Sequence, residues 1–106
     1  MVTGGTRGIG RAIVEAFHAE GANVAFCARN AAEVAEVEDS LSANARVIGT
    51  VLDVRDGDAL RAWVEATASE FGGIDMVVNS VSALAIPDTE ENWHESFNVD
   101  MMGTVH

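Results

Sequence analysis

The 106-residue sequence predicts an α/β fold, a single open parallel sheet doubly wound by helices on both faces. Three observations predict it. Short continuous apolar runs such as Val24-Ala25-Phe26-Cys27-Ala28 alternate with longer stretches whose apolar residues fall at helical spacing, and unbroken apolar runs suit parallel strands covered on both faces. A glycine-rich loop, Gly4-Gly5-Thr6-Arg7-Gly8-Ile9-Gly10, stands where the first strand turns into the first helix. The chain is one domain's worth, 48% hydrophobic, with no repeat, linker or low-complexity segment, which supports one packed core.

Met1 and Val2 read as the end of a first strand; a buried strand normally runs to about five residues, so truncation is expected at the start. From Ile9 to Glu20 a helix is predicted, with Ala12, Ile13, Ala16 and Phe17 inward, Arg11, Glu15 and His18 outward, and Gly21 as its stop. The run 24–28 is the second strand. A helix follows from about Ala31 to Ser42, with Val34, Val37 and Leu41 inward.

Val47 to Val54 reads as the third strand and Asp56 as a helix N-cap. Ala59, Leu60, Trp63, Val64, Thr67 and Phe71 mark the buried face of the third helix, which Gly72-Gly73 ends. Ile74 to Asn79 is the fourth strand. A loop of small residues, 80–86, leads through Pro87 to Asp88-Thr89, which cap a fourth helix carrying Trp93, Phe97 and Met101. No stop signal precedes His106, so truncation is expected at this end also. The alternation gives a three-layer α/β/α unit over 1–106, with strands in the Rossmann order 3-2-1-4.

Composition narrows the function. Seventeen acidic against six basic residues give a net charge of −11, which argues against nucleic acid or an anionic membrane as partner. No run is long enough to span a bilayer, and no signal peptide is apparent. The single Cys27 excludes an internal disulfide and suits a cytoplasmic setting; inside an apolar run it reads as a small buried hydrophobe before it reads as a reactive thiol. No metal site is expected.

The glycine loop is the chemically informative stretch. Gly4 permits a tight turn off the strand, Gly8 allows close approach of a pyrophosphate, and Gly10 lets the following helix pack on the sheet. The free N–H groups and positive end of that helix then point at the anion. Glycines alone also describe an ordinary turn. The fuller string Thr3-Gly4-x-x-x-Gly8-x-Gly10, here TGGTRGIG, resembles the cofactor motif of the short-chain dehydrogenase/reductase family.

What the resemblance implies extends along the chain. The second strand ends in Cys27-Ala28-Arg29-Asn30, without the acidic residue that usually takes a ribose 2′-hydroxyl. Arg29 and Arg7 suit a 2′-phosphate instead, which predicts NADP(H) over NAD(H), although each taken alone also fits a solvent-facing arginine. Asp53-Val54 resembles the family's adenine-binding pair; a strand-end Asp is also a possible helix cap, but Asp56 is better placed for that. Asn79 matches the family position that steadies the central strand near the ribose, while Ser80, Val81 and Ser82 depart from the family's Asn-Ala-Gly. The expected nucleotide-binding set is Thr3, Gly4, Thr6, Arg7, Gly8, Ile9 and Gly10, then Arg29, Asp53, Val54, Asn79 and Ser80.

Aligning Trp93 and Gly103 with the family puts Asp100, not Asn98, at the active-site Asn position, where the family residue orders a water through its main chain at a helix break. The family's catalytic Ser, Tyr and Lys would lie beyond the point matching His106, and this sequence contains neither Tyr nor Lys. The chain alone is therefore not expected to turn over substrate by the family mechanism. Two readings follow. One is the cofactor-binding front part of an NADP(H)-dependent oxidoreductase that interconverts a small-molecule carbonyl and alcohol, 3-oxoacyl reduction being the commonest family chemistry. Its helix starting near Thr89 would make subunit contacts in a homo-oligomer. The other is a non-catalytic nucleotide-binding or assembly module.

Overall fold

A computed structural model describes residues 1–41 and 46–106. Its strands are β1 (Val2–Thr3), β2 (Val24–Ala28), β3 (Val47–Val51) and β4 (Val78–Asn79), paired in parallel in the order β3-β2-β1-β4. Between and after them run α1 (Gly8–Ala19), α2 (Ala31–Ser40), α3 (Gly57–Phe71) and α4 (Glu90–Ser96). A π-helical turn, Phe97–Met101, and a short α5, Met102–Val105, complete the last helical stretch.

The register of β2 explains the three layers. Its residues alternate between two cores, as a period of two requires. Val24 and Phe26 join Val2, Val14, Val34 and Val37 on the α1–α2 face. Ala25 and Cys27 join Leu52, Val54, Leu60, Trp63 and Val99 on the other. Both faces are covered, so the central strand needs no polar alternation.

The helix ends follow capping chemistry. Asn30, Asp56 and Thr89 accept from the backbone N–H groups of Glu33, Ala59 and Asn92, capping α2, α3 and α4. Gly72 ends α3 in the left-handed conformation at φ +78°. Arg11 pairs with Glu15 within α1 and ties α1 to α2 through Glu36.

Several expected boundaries and faces move. In α1 the buried positions are Gly10 and Val14, with Ile13 and Phe17 half-buried, whereas Ala12 and Ala16 are exposed; the helix meets the sheet about one residue out of the expected phase. His18 is half-buried, not a solvated residue, and its Nδ1 is enclosed without a hydrogen-bond partner among the described residues. Strand β3 stops at Val51 because Asp53 opens a turn: its carboxylate accepts from the Arg55 N–H at 3.0 Å and its carbonyl from the Asp56 N–H at 3.0 Å. Strand β4 covers only Val78–Asn79 because β1 offers it only Val2 and Thr3. Helix α2 ends at Ser40, and Ser42 lies outside the described residues. On α3, Val64 is exposed while Leu60, Trp63 and Thr67 are buried. Among the described residues no helix is long and apolar enough to cross a membrane.

Candidate functional site

A cleft of about 850 Å³ opens at the C-terminal ends of the strands, within the range of ligand pockets. Ligands of open α/β sheets bind outside those strand ends, where the strand order reverses. The β1–α1 loop forms one wall. Gly4 and Gly5 donate their N–H groups to the Cys27 carbonyl at 2.9 and 3.2 Å, fastening the loop to the end of β2.

Two glycines are required here. A Cβ on Gly10 would lie 2.0 Å from the Gly4 carbonyl oxygen, so only a bare Cα lets α1 start this close to the loop. Gly8 has φ +52°, and a Cβ there would meet no atom within 4 Å. The main chain at Gly8 is thus bare toward open space, as an approaching phosphate needs.

The start of α1 fits an anion for a second reason. Unlike α2, α3 and α4, it receives no side-chain cap: Arg7, at the N-cap position, makes no capping bond. Its first N–H groups are among those a helix cannot satisfy internally. A pyrophosphate at this helix end would meet unpaired donors and the positive end of the dipole. The residues present therefore fit a dinucleotide.

Most of the expected residues line the cleft: Gly4, Thr6, Arg7, Gly8, Ile9 and Gly10 on the loop side, Arg29 after β2, and Asp53, Val54 and Ser80 beyond. Thr3 and Asn79 do not. Thr3 is buried, and its hydroxyl accepts the Ser80 N–H at 3.1 Å, stitching β1 to the loop after β4. Asn79 pairs in register with Thr3 and is exposed. Asp100 lies in the π-helical turn, outside the cleft lining, and its carboxylate accepts the Ala83 N–H at 2.7 Å. It holds the loop after β4 against the last helical stretch. Asn98 is exposed on the same turn.

Two charged residues of the cleft escaped the sequence reading. Glu33, in the first turn of α2, binds Arg7 Nη2 at 2.5 Å and Nε at 2.8 Å through Oε1, and accepts the Thr6 hydroxyl at 3.1 Å through Oε2. The hydrogen bond from Arg7 holds the Glu33 carboxyl below the usual range, and Glu33 in turn raises the Arg7 guanidinium. Arg55 binds Asp53 at 2.6 Å and Glu95 of α4 at 2.9 Å. Its hydrogen bonds hold the Asp53 carboxyl low, with a further contribution from the charge of Arg29. Among the described residues Arg29 makes no ion pair and is exposed. The only available signal for Glu33 was its place three residues after the Asn30 cap, which reads as helix chemistry. Arg55 sits in the turn that Asp53 opens, just past the stretch expected to be strand.

Cys27 is fully buried, and burial pushes its thiol up to about 11, so it is a core residue. No group of His, Cys, Asp or Glu among the described residues is arranged to hold a metal ion.

A parallel 3-2-1-4 sheet with a glycine loop at its first strand-to-helix turn defines a nucleotide-binding α/β domain of the Rossmann class. Within that class the chain belongs to the short chain dehydrogenase family, whose sequence profile matches residues 1–106. It is 40% identical over 110 aligned positions to isoepoxydon dehydrogenase patN of Penicillium expansum, covering 99% of this chain and 42% of that protein. It is 37% identical to mouse L-fucose dehydrogenase, covering 98% of this chain and 39% of that one. A crystal structure of a 3-ketoacyl-ACP reductase from Sinorhizobium meliloti superposes with a TM-score of 0.87 at 32% identity, over 98% of this chain and 44% of that one. The chain thus spans less than half the length of these relatives.

Proposed function

We propose that residues 1–106 form the NADP(H)-binding part of an oxidoreductase that interconverts a small-molecule carbonyl and alcohol. The observation that carries this reading is the uncapped start of α1 behind the bare Gly8 main chain, with Arg7 and Arg29 on the flank where the nucleotide ribose would lie. In this reading the α1 N–H groups bind the pyrophosphate, and Arg29 and Arg7 take the 2′-phosphate. Val54 and Asp53 border the adenine, and Ser80, with Asn79 at the strand end behind it, lies toward the nicotinamide ribose. The bound nucleotide would supply or accept hydride. This chain's residues bind and orient it, and Asp100 positions the loop after β4.

The relatives, two dehydrogenases and a 3-ketoacyl-ACP reductase, support carbonyl–alcohol chemistry, with 3-oxoacyl reduction as one member of that class. A cytoplasmic setting suits the buried free thiol. The exposed Trp93, Phe97 and Met101, four residues apart, suit contact with a second subunit. The same stripe is what a second reading, a nucleotide-binding assembly module without catalysis, rests on.

Titration of the purified chain with NADPH and NADH tests the cofactor. NADPH is expected to bind about 10-fold or more tightly, since a charge-assisted hydrogen bond contributes roughly 1.5–3 kcal/mol. Arg29→Ala should remove most of that preference. Equal or tighter NADH binding sinks the roles given to Arg7 and Arg29.

A further inference from the structure

We infer that Glu33 is a specificity-determining residue of the cleft, one that weakens the preference for a 2′-phosphorylated nucleotide by holding one of the two bidentate edges of the Arg7 guanidinium. This rests on the NADP(H) reading above. Asn30 accepts the Glu33 N–H at 3.1 Å, which sets the start of α2 and brings the Glu33 side chain to the β1–α1 loop. One carboxylate oxygen takes both Nε and Nη2 of Arg7, at 2.8 and 2.5 Å, and the other takes the Thr6 hydroxyl at 3.1 Å. A guanidinium recognises phosphate bidentately along one edge of its planar fork. Here the Nε–Nη2 edge is already engaged.

Glu33 therefore acts on a 2′-phosphate twice. It competes for Arg7, and it places a like charge beside the incoming dianion. Arg7 keeps its held state low, so the carboxylate stays ionised through the neutral range and the competition persists there. The Arg7 side chain is 75% exposed, and exposed pairs are weak. Glu33 accordingly tunes the site and does not close it. Arg29, outside any such pair, is left as the first cation the phosphate meets.

The test uses adenosine 2′,5′-bisphosphate and 5′-AMP, which probe the adenosine half of the site, with affinities read by calorimetry on the intact chain and folding checked by circular dichroism. Glu33→Gln is expected to tighten the bisphosphate about 5-fold and to change 5′-AMP less than about 2-fold, the scale of one exposed charge interaction. Glu33→Ala should do the same, which separates loss of charge from any new amide hydrogen bond. In an Arg7→Ala background the effect of Glu33→Gln should fall toward the part due to direct repulsion, below about 3-fold. If wild type prefers the bisphosphate but neither Glu33 variant tightens it, the inference fails and the NADP(H) reading stands. If wild type binds 5′-AMP as tightly as the bisphosphate, the NADP(H) reading itself fails. If Glu33→Gln then loosens 5′-AMP, Glu33 is an acceptor for the ribose hydroxyls, and the inference is overturned with it.

Discussion

At the scale of single residues, Cys27 gives an unusually clean measurement. The chain has no Lys and no Tyr, and arginine stays charged beyond pH 12. Above the range where the terminal amine titrates, Cys27 is the one side chain left to lose a proton before the arginines. Buried in β2, its thiol is pushed from an ordinary 9.0 up to about 11. The unfolded chain releases that proton first, so unfolding is favoured as pH rises from about 9 to about 11. Stability from this group is complete below pH 9 and lost through pH 11, a drop of roughly 2–3 kcal/mol for two pH units. Urea unfolding at steps across that window should show the loss, and Cys27→Ala should abolish the slope while lowering stability below pH 9. An unchanged slope in the variant would assign the alkaline transition elsewhere. The buried state of this thiol was legible in the sequence because a strand covered on both faces tolerates no polar alternation. Glu33 was not, because its partner Arg7 lies 26 residues away and only the fold brings them together.

Elements were legible in proportion to how local their causes are. Caps and stops are local, and Asp56, Thr89 and Gly72 stand where capping chemistry put them. Strand lengths depend on partners, so β4 shrank to what β1 can pair, and β3 yielded to the Asp53 turn. The phase of α1 depends on where Gly10 meets the loop, which periodicity cannot reveal. The resemblance put a helix break at Asp100, and a π-helical turn over Phe97–Met101 interrupts the last helical stretch there. On its inner side Gly103 lies against Val54, where a Cβ would meet the valine Cγ2 at 2.8 Å. The two aspartates of the β3–α3 connection divide their work, Asp56 capping α3 and Asp53 holding Arg55. Asp56→Ala should therefore lower stability by about 1 kcal/mol, the usual value of an N-cap, and leave 5′-AMP affinity unchanged. A loss of affinity matching the loss of stability would show that the cap and the cleft are not separable.

For the whole molecule, two long-range quantities oppose each other. The described surface leaves Trp93 68%, Phe97 51% and Met101 57% exposed along the last helical stretch, and Met76 and Val77 exposed beside β4 at the sheet edge. Apolar area of this kind favours association. Against it stands a net charge of −11, spread over a molecule whose longest dimension is 45 Å. Charge repulsion between copies reaches ~30 Å at 0.01 M salt but only ~10 Å at 0.1 M, while apolar burial does not depend on charge screening. Association of the chain should consequently be suppressed at about 0.01 M salt and rise with both salt and protein concentration at about 0.1 M and above. Sedimentation equilibrium reads this as a weight-average mass climbing from the monomer value of 11.1 kDa. Phe97→Glu combined with Met101→Glu adds charge to the stripe, and should hold the mass at the monomer value at each salt concentration if the last helical stretch carries the contact. Should that variant associate as wild type does while Val77→Glu does not, the contact belongs to the β4 edge, and the subunit role given to the helix starting near Thr89 is lost. A single 11.1 kDa species of the wild-type chain under all conditions would remove both.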